Sequence, residues 1–166
     1  FMTDTILHTL VRQLDAAVAA PPEKLHGAVT GALAAAVARR DWLKDEQQRA
    51  DREQYARHVL HADPQGRYTV VSLVWGPGQQ SPIHAHHTWC SVAVYRGEIS
   101  ETFYAADDGS PVPLRTVRRG AGTLSFDGGD SGVHRIANPD GDTAVSIHVY
   151  GIDSAQVATG VNRVLG

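Results

Sequence analysis

The sequence predicts a mainly β fold, an antiparallel barrel or sandwich carrying a helical N-terminal segment, and three observations point to it. Residues 3–60 are alanine-rich, with apolar residues at helical spacing. After Arg67 the texture changes to short runs rich in β-branched residues. Those runs are separated by Gly, Pro and Asp, the punctuation of antiparallel turns.

The elements follow in order. Ile6, Leu10, Leu14 and Val18, then Leu25, Val29, Leu33 and Val37, recur every four residues, so each set lines one face of a helix. Pro21 and Pro22 break the chain between them, and a third helix is expected to open at Asp41 or Asp45 and run to about Leu60. Asp63, Pro64 and Gly66 then form a turn. Residues 68–75, 90–97, 99–104, 112–117, 122–126, 133–138 and 143–151 read as strands, which places a barrel over 67–152. With 166 residues and 42% hydrophobic content, the chain is expected to form one domain, 1–166, with a real core.

Composition narrows the function. The 15 basic and 18 acidic residues give a net charge of -3, without the Lys/Arg stripe that neutralises phosphates or an anionic membrane. No nucleic-acid or membrane partner is expected, and the apolar stretches are too short to span a bilayer. A soluble, cytoplasmic protein is the expectation. The single cysteine, Cys90, excludes an internal disulfide and is filler, reactive group or ligand.

His84 and His86 stand two apart in a segment that reads as a strand, so both rings project from one face and suit two ligands of one metal. His87 points the other way and is read as structural or exposed. Gly78 lies before His84 across five intervening residues, and Gly97 follows along the next strand. That spacing resembles the first cupin motif, Gly-x5-His-x-His-x3,4-Glu-x6-Gly, with Cys90 where the motif has Glu. His134 and Asn138 resemble the second motif's His-x3-Asn, although Gly129, Asp130 and Ser131 replace its Pro-x-Gly. The resemblance implies a cupin jelly-roll barrel holding a metal on His84, His86 and His134. Without a Glu ligand, three neutral imidazoles leave the charge of a dipositive ion uncompensated, so the site wants an anionic ligand. Imidazoles alone suit Zn, Cu, Ni or Fe.

Further segments, together covering Tyr55 to Tyr150, resemble the cysteine dioxygenases and the related bacterial 3-mercaptopropionate dioxygenases. Residues 66–89 resemble the strand pair with the first two iron ligands, and 132–138 the segment with the third. Ser146, His148 and Tyr150 match the family's Ser-x-His-x-Tyr relay, and their period-two spacing sets them on one strand face. Tyr55 and Arg57 match the Tyr-x-Arg element, just before the first strand, that binds the substrate carboxylate. Arg suits this role because its planar fork makes two charge-assisted hydrogen bonds. The mercaptopropionate enzymes carry Gln there, so Arg57 tilts the expectation toward cysteine. Cys90 falls where the mammalian enzymes have a cysteine crosslinked by a thioether to the tyrosine matched by Tyr150. The loop from His86 to Cys90 is one residue shorter here, and Gly151 and Ile152 replace a Ser-Pro step.

The resemblance implies an Fe(II)-dependent enzyme that adds both atoms of dioxygen to a small-molecule thiol, L-cysteine, giving the sulfinate. His84, His86 and His134 would hold iron, Arg57 with Tyr55 would fix the carboxylate, and Tyr150, oriented by His148 and Ser146, would donate to substrate or oxygen. The alternatives are a 3-mercaptopropionate or other mercapto-acid dioxygenase, and a non-enzymatic cupin that senses a ligand or binds a metal. A monomer or weak homodimer is expected.

Overall fold

The structure, a computed structural model, describes residues 2–105, 109–129, 132–139, 141–160 and 162–165. Two helices, α1 (Met2–Ala19) and α2 (Leu25–Val37), precede ten strands. These are β1 (Ala56–Ala62), β2 (Thr69–Trp75), β3 (His84–His86), β4 (Cys90–Arg96), β5 (Glu98–Ala105), β6 (Val112–Gly120), β7 (Leu124–Asp127), β8 (Val133–Ala137), β9 (Ala144–Tyr150) and β10 (Asn162–Val164). A short helix, α3 (Val157–Gly160), lies before β10. Among the described residues, no helix is long and apolar enough to cross a membrane.

The strands form two five-stranded antiparallel sheets, ordered β1-β2-β9-β4-β7 and β10-β3-β8-β5-β6. Apart from the hairpins β1–β2 and β5–β6, sequence neighbours lie in opposite sheets, the jelly-roll arrangement expected from the sequence. Every position of β2 and β9 is buried, because the first sheet is covered on both faces. On its outer face Val70, Val74, Tyr95 and Ile147 pack against Leu10, Leu14, Leu33 and Val37 of the helices, the apolar stripe read from the sequence. On its inner face Val71, Leu73, Trp75 and Val92 meet Ile99 and Ile136 of the second sheet. The functional side chains sit in this inner layer.

The expected third helix is not formed. A single 3-10 turn spans Asp45–Gln48, and the residues up to Leu60 instead contribute β1. The cause lies in where the backbone donors go. The N–H groups of Trp42 and Leu43 both donate to the Tyr95 hydroxyl, each at 3.1 Å, and the Trp42 indole donates to Ala36 at 2.9 Å. This pins the chain across the sheet just where a helix would start. Further on, β2 offers β1 an antiparallel partner from Ala56 to Ala62, with a register shift between Val59 and His61. The barrel therefore extends beyond 67–152 at both ends, with β1 on one edge and β10 pairing with β3 on another.

Candidate metal centre

β3 and β8 run antiparallel with His84 directly opposite His134, and His86 follows two residues on, on the same face. All three rings are buried. Their Nε2 atoms converge: His134 Nε2 lies 3.0 Å from that of His84 and 3.4 Å from that of His86. Such spacings fit three nitrogens around one ion at roughly 2.1 Å each. Among the described residues these three form the group able to hold a metal.

Each ring is aimed by its other nitrogen. His84 Nδ1 donates to the Pro82 carbonyl at 2.8 Å, His86 Nδ1 to Asp127 Oδ2 at 2.9 Å and His134 Nδ1 to Glu101 Oε2 at 2.6 Å. Those partners fix the tautomer and leave each Nε2 lone pair facing the common point. Burial, then the neighbouring His134, pushes the His84 pKa down to about 3, so this ring is neutral and ready to ligate. Burial alone would raise the carboxyl of Glu101, but its bonds to His134 and Arg119 hold it below the ordinary value. Asp127 is held down in the same way, against burial, by His86 and the Gly129 N–H. Glu101 and Asp127 were not read as site residues from the sequence. A signal existed for Glu101: it shares a strand face with Ile99 and Phe103, an acid among inward positions.

Facing the histidines, β9 carries the relay. Ser146 Oγ lies 2.8 Å from His148 Nε2, and His148 Nδ1 lies 3.2 Å from the Tyr150 hydroxyl. The Trp75 indole, also missed in the sequence, donates to Ser146 Oγ at 3.0 Å. Burial, reinforced by the three other rings and Arg57, drives the His148 pKa well below its ordinary value; burial and Cys90 drive that of Tyr150 well above. The relay is therefore neutral. A small cavity of about 20 Å³ separates it from the metal ligands and is lined by all three histidines, His148, Tyr150, Cys90, Tyr55 and Trp75, with no acidic side chain among the described residues.

Cys90 opens β4 directly opposite Tyr150 on β9. Its thiol is buried, which raises its pKa well above the ordinary value. Gly151, one of the departures noted in the sequence, has a local reason. A Cβ there would collide with the Trp89 indole, and the strand end is stapled to the 86–90 loop by Gly151 N–H to Trp89 O at 3.0 Å and Thr88 Oγ1 to Gly151 O at 2.7 Å. Of the departures in the second motif, Asp130 and Ser131 lie outside the described residues. His87 is exposed, as read.

Tyr55 lies at the cavity, stacked on Trp75 with centroids 4.6 Å apart. Arg57 lies within the first strand rather than before it, is exposed, and does not line the cavity. It pairs across the sheet with Leu73, which does, while its strand neighbours Ala56 and Leu60 pack toward the helices. Arg57 thus leaves β1 on the cavity side, and its charge reaches His148 and Tyr150.

The profile of the family described as cysteine dioxygenase type I matches residues 7–158. The chain belongs to this cysteine dioxygenase family. Among curated relatives, cysteine dioxygenase type 1 of Danio rerio is 27% identical over 117 residues, covering 66% of this chain and 56% of that protein. The Homo sapiens enzyme of the same name is 27% identical over 107 residues, covering 60% and 52%. The chain thus spans about half the length of the curated relatives it matches. Two bacterial structures share its fold. A Klebsiella pneumoniae protein with a double-stranded β-helix domain superposes with a TM-score of 0.56 at 18% identity, covering 73% of this chain and 87% of that one. A Thermus thermophilus protein gives 0.53 at 18%, covering 66% and 96%. The cupin barrel read from the sequence is the fold of this family member.

Proposed function

We propose that the protein is an Fe(II)-dependent thiol dioxygenase that converts L-cysteine and dioxygen to cysteine sulfinate. The observation that carries this reading is the convergence of three Nε2 atoms opposite a Ser146–His148–Tyr150 relay across one small cavity. His84, His86 and His134 would hold the iron, which when bound supplies the redox chemistry that joins dioxygen to sulfur. In balance, the thiol sulfur gains two S–O bonds, both oxygens come from one dioxygen, and no external reductant is needed.

The chain's own residues do the rest. Three neutral imidazoles bring no negative charge to the ion, so a thiolate fills the electrostatic need that a carboxylate ligand meets elsewhere. Arg57, on the cavity side of β1 and with no hydrogen-bond partner for its fork among the described residues, would take the substrate carboxylate at the rim, beside Tyr55. Tyr150 would donate a hydrogen bond to the substrate or to oxygen. The aliphatic and aromatic walls, Leu73, Val92, Ile136 and Trp75, exclude water.

One observation favours a second reading, 3-mercaptopropionate as substrate. Among the described residues no acidic side chain lines the cavity to meet an ammonium group, because Glu101 and Asp127 are both turned to the backs of the histidines. Oxygen uptake by iron-loaded protein with L-cysteine, 3-mercaptopropionate, mercaptosuccinate and cysteamine decides. The proposal expects L-cysteine to be oxidised fastest and cysteamine, lacking the carboxylate, to be poor. Absence of uptake with every thiol would leave a ligand-sensing or metal-binding cupin.

A further inference from the structure

We infer that Trp75 sets the direction of the hydrogen-bond chain through Ser146 and His148, so that the Tyr150 hydroxyl turns its hydrogen toward the cavity. The catalytic consequence rests on the dioxygenase reading above, but the polarity itself does not. Trp75 closes β2, pairing with Ala144 at the start of β9, and is buried with its face against Tyr55. Its Nε1 points at Ser146 Oγ, 3.0 Å away. An indole nitrogen has a hydrogen to give and no lone pair to receive one, so the head of the chain is donor-only.

The consequence propagates residue by residue. Ser146 is fully buried, and among the described residues its hydroxyl has two partners, the Trp75 indole and His148 Nε2 at 2.8 Å. Having accepted from Trp75, it has one hydrogen of its own to place. If it accepted from His148 as well, that hydrogen would be a buried donor with no acceptor, which folded proteins avoid. Ser146 therefore donates to Nε2. His148 is neutral in its buried setting, so with Nε2 bare the ring hydrogen sits on Nδ1, which donates to the Tyr150 oxygen at 3.2 Å. Among the described residues Tyr150 has no other partner, and its own hydrogen is left for the cavity it lines.

Trp75 is thus a positioning residue that acts through two intermediates. It makes Tyr150 a donor rather than an acceptor, so the ligand atom beside Tyr150 is an acceptor: a carboxylate or an oxygen, not an ammonium. With an acceptor at the head, or no head group, the Ser146 hydroxyl is free to rotate and the chain can run backwards, with Tyr150 spending its hydrogen on His148.

The test reads the tautomer directly. In metal-free protein with isotope-labelled histidine, nitrogen NMR shifts distinguish a protonated from a bare ring nitrogen, and the His148 signals are those lost in His148→Gln. Nδ1 protonated and Nε2 bare is expected; the reverse overturns the inference. Trp75→Phe keeps the ring and its stack on Tyr55 but has no N–H, and should show both tautomers. With unchanged metal content, it should lose kcat by roughly ten- to hundredfold, the range for removing a partner that orients a site residue. Because Trp75 acts through Ser146, the double variant Trp75→Phe/Ser146→Ala should be no slower than Ser146→Ala alone. Losses that multiply would put Trp75 outside the chain and overturn it. If Trp75→Phe does not fold, the wild-type tautomer decides alone. The expected tautomer in a protein that oxidises no thiol would remove the dioxygenase reading and leave the polarity standing.

Discussion

Replacing His134 with Ala removes a nitrogen that lies within 3.4 Å of both other ligand nitrogens, and iron retention and turnover should both vanish. Stoichiometric iron in that variant would remove the assignment. Glu101→Gln asks a finer question, because it keeps the shape behind His134 but loses the charge that orients and polarises the ring. A competitive metal titration should find its affinity roughly 10- to 100-fold lower. In the proposed reading Arg57 would hold the substrate carboxylate at the cavity rim from an exposed position. Arg57→Ala should therefore cost about 1.5 to 3 kcal/mol in kcat/KM for L-cysteine, the range for a hydrogen bond to a charged group. Arg57→Gln should shift preference toward 3-mercaptopropionate, and unchanged specificity in both variants would place the carboxylate elsewhere. At this scale the metal-binding histidines were legible because a period-two pair at fixed distances from turn glycines has few other uses. Asp127, Glu101 and Trp75 were not, since a residue that serves a ring from behind carries no spacing signature until the strands are paired.

Between elements, the β4–β9 register is the fact that matters most. It sets Cys90 opposite Tyr150 as nearest cross-strand neighbours, a relation in which Cβ atoms stand about 4.5 to 5.5 Å apart. Just before β4 begins, Gly151 admits Trp89 and the 86–90 loop is bonded to the end of β9. A thioether is therefore expected to form during turnover with iron and dioxygen. One S–H and one ring C–H bond break, a C–S bond forms, and dioxygen takes up two electrons and two protons. Crosslinked chains should be lighter by two hydrogens, and Cys90 should resist alkylation after denaturation. Unmodified mass and full labelling after many turnovers would show that Cys90 only fills space. The sequence announced these strands as β-branched runs between turn residues, yet β1 was read as the end of a helix. The segment 55–60 mixes Tyr, Arg, His and Leu without a clear period, and only the edge of β2 and the Tyr95 anchor upstream decide its conformation.

Across the whole molecule, helix α1 is joined to the barrel by a polar cluster as well as by the apolar core. At the β1–β2 turn, Asp63 accepts from Arg67 Nε at 2.7 Å and from the Arg67 N–H at 2.9 Å. Arg67 Nη2 reaches on to Asp15 of α1 at 3.0 Å, and Tyr68 donates to the same carboxylate at 2.8 Å. The Arg67 guanidinium, against the opposing effect of burial, lowers the Asp63 pKa from 3.8 to about 2. A carboxyl depressed on folding contributes stability that is fully present above its unfolded pKa, near 3.9, and is lost as pH falls through about 2. Tyr68 works at the other limit. Burial, then Asp15, raises its pKa above the ordinary 10.0, so its contribution is present below that value and fades as pH rises beyond it. Urea midpoints measured against pH should show both limbs. Asp63→Asn should cost roughly 1.5 to 3 kcal/mol near neutrality, the range for hydrogen bonds to a charged group, and the deficit should shrink toward zero as pH falls from about 4 to about 2. Tyr68→Phe should flatten the alkaline limb alone. A deficit in Asp63→Asn that stays constant down to pH about 2 would show that the turn geometry, and not the ion pair to Arg67, is what Asp63 supplies.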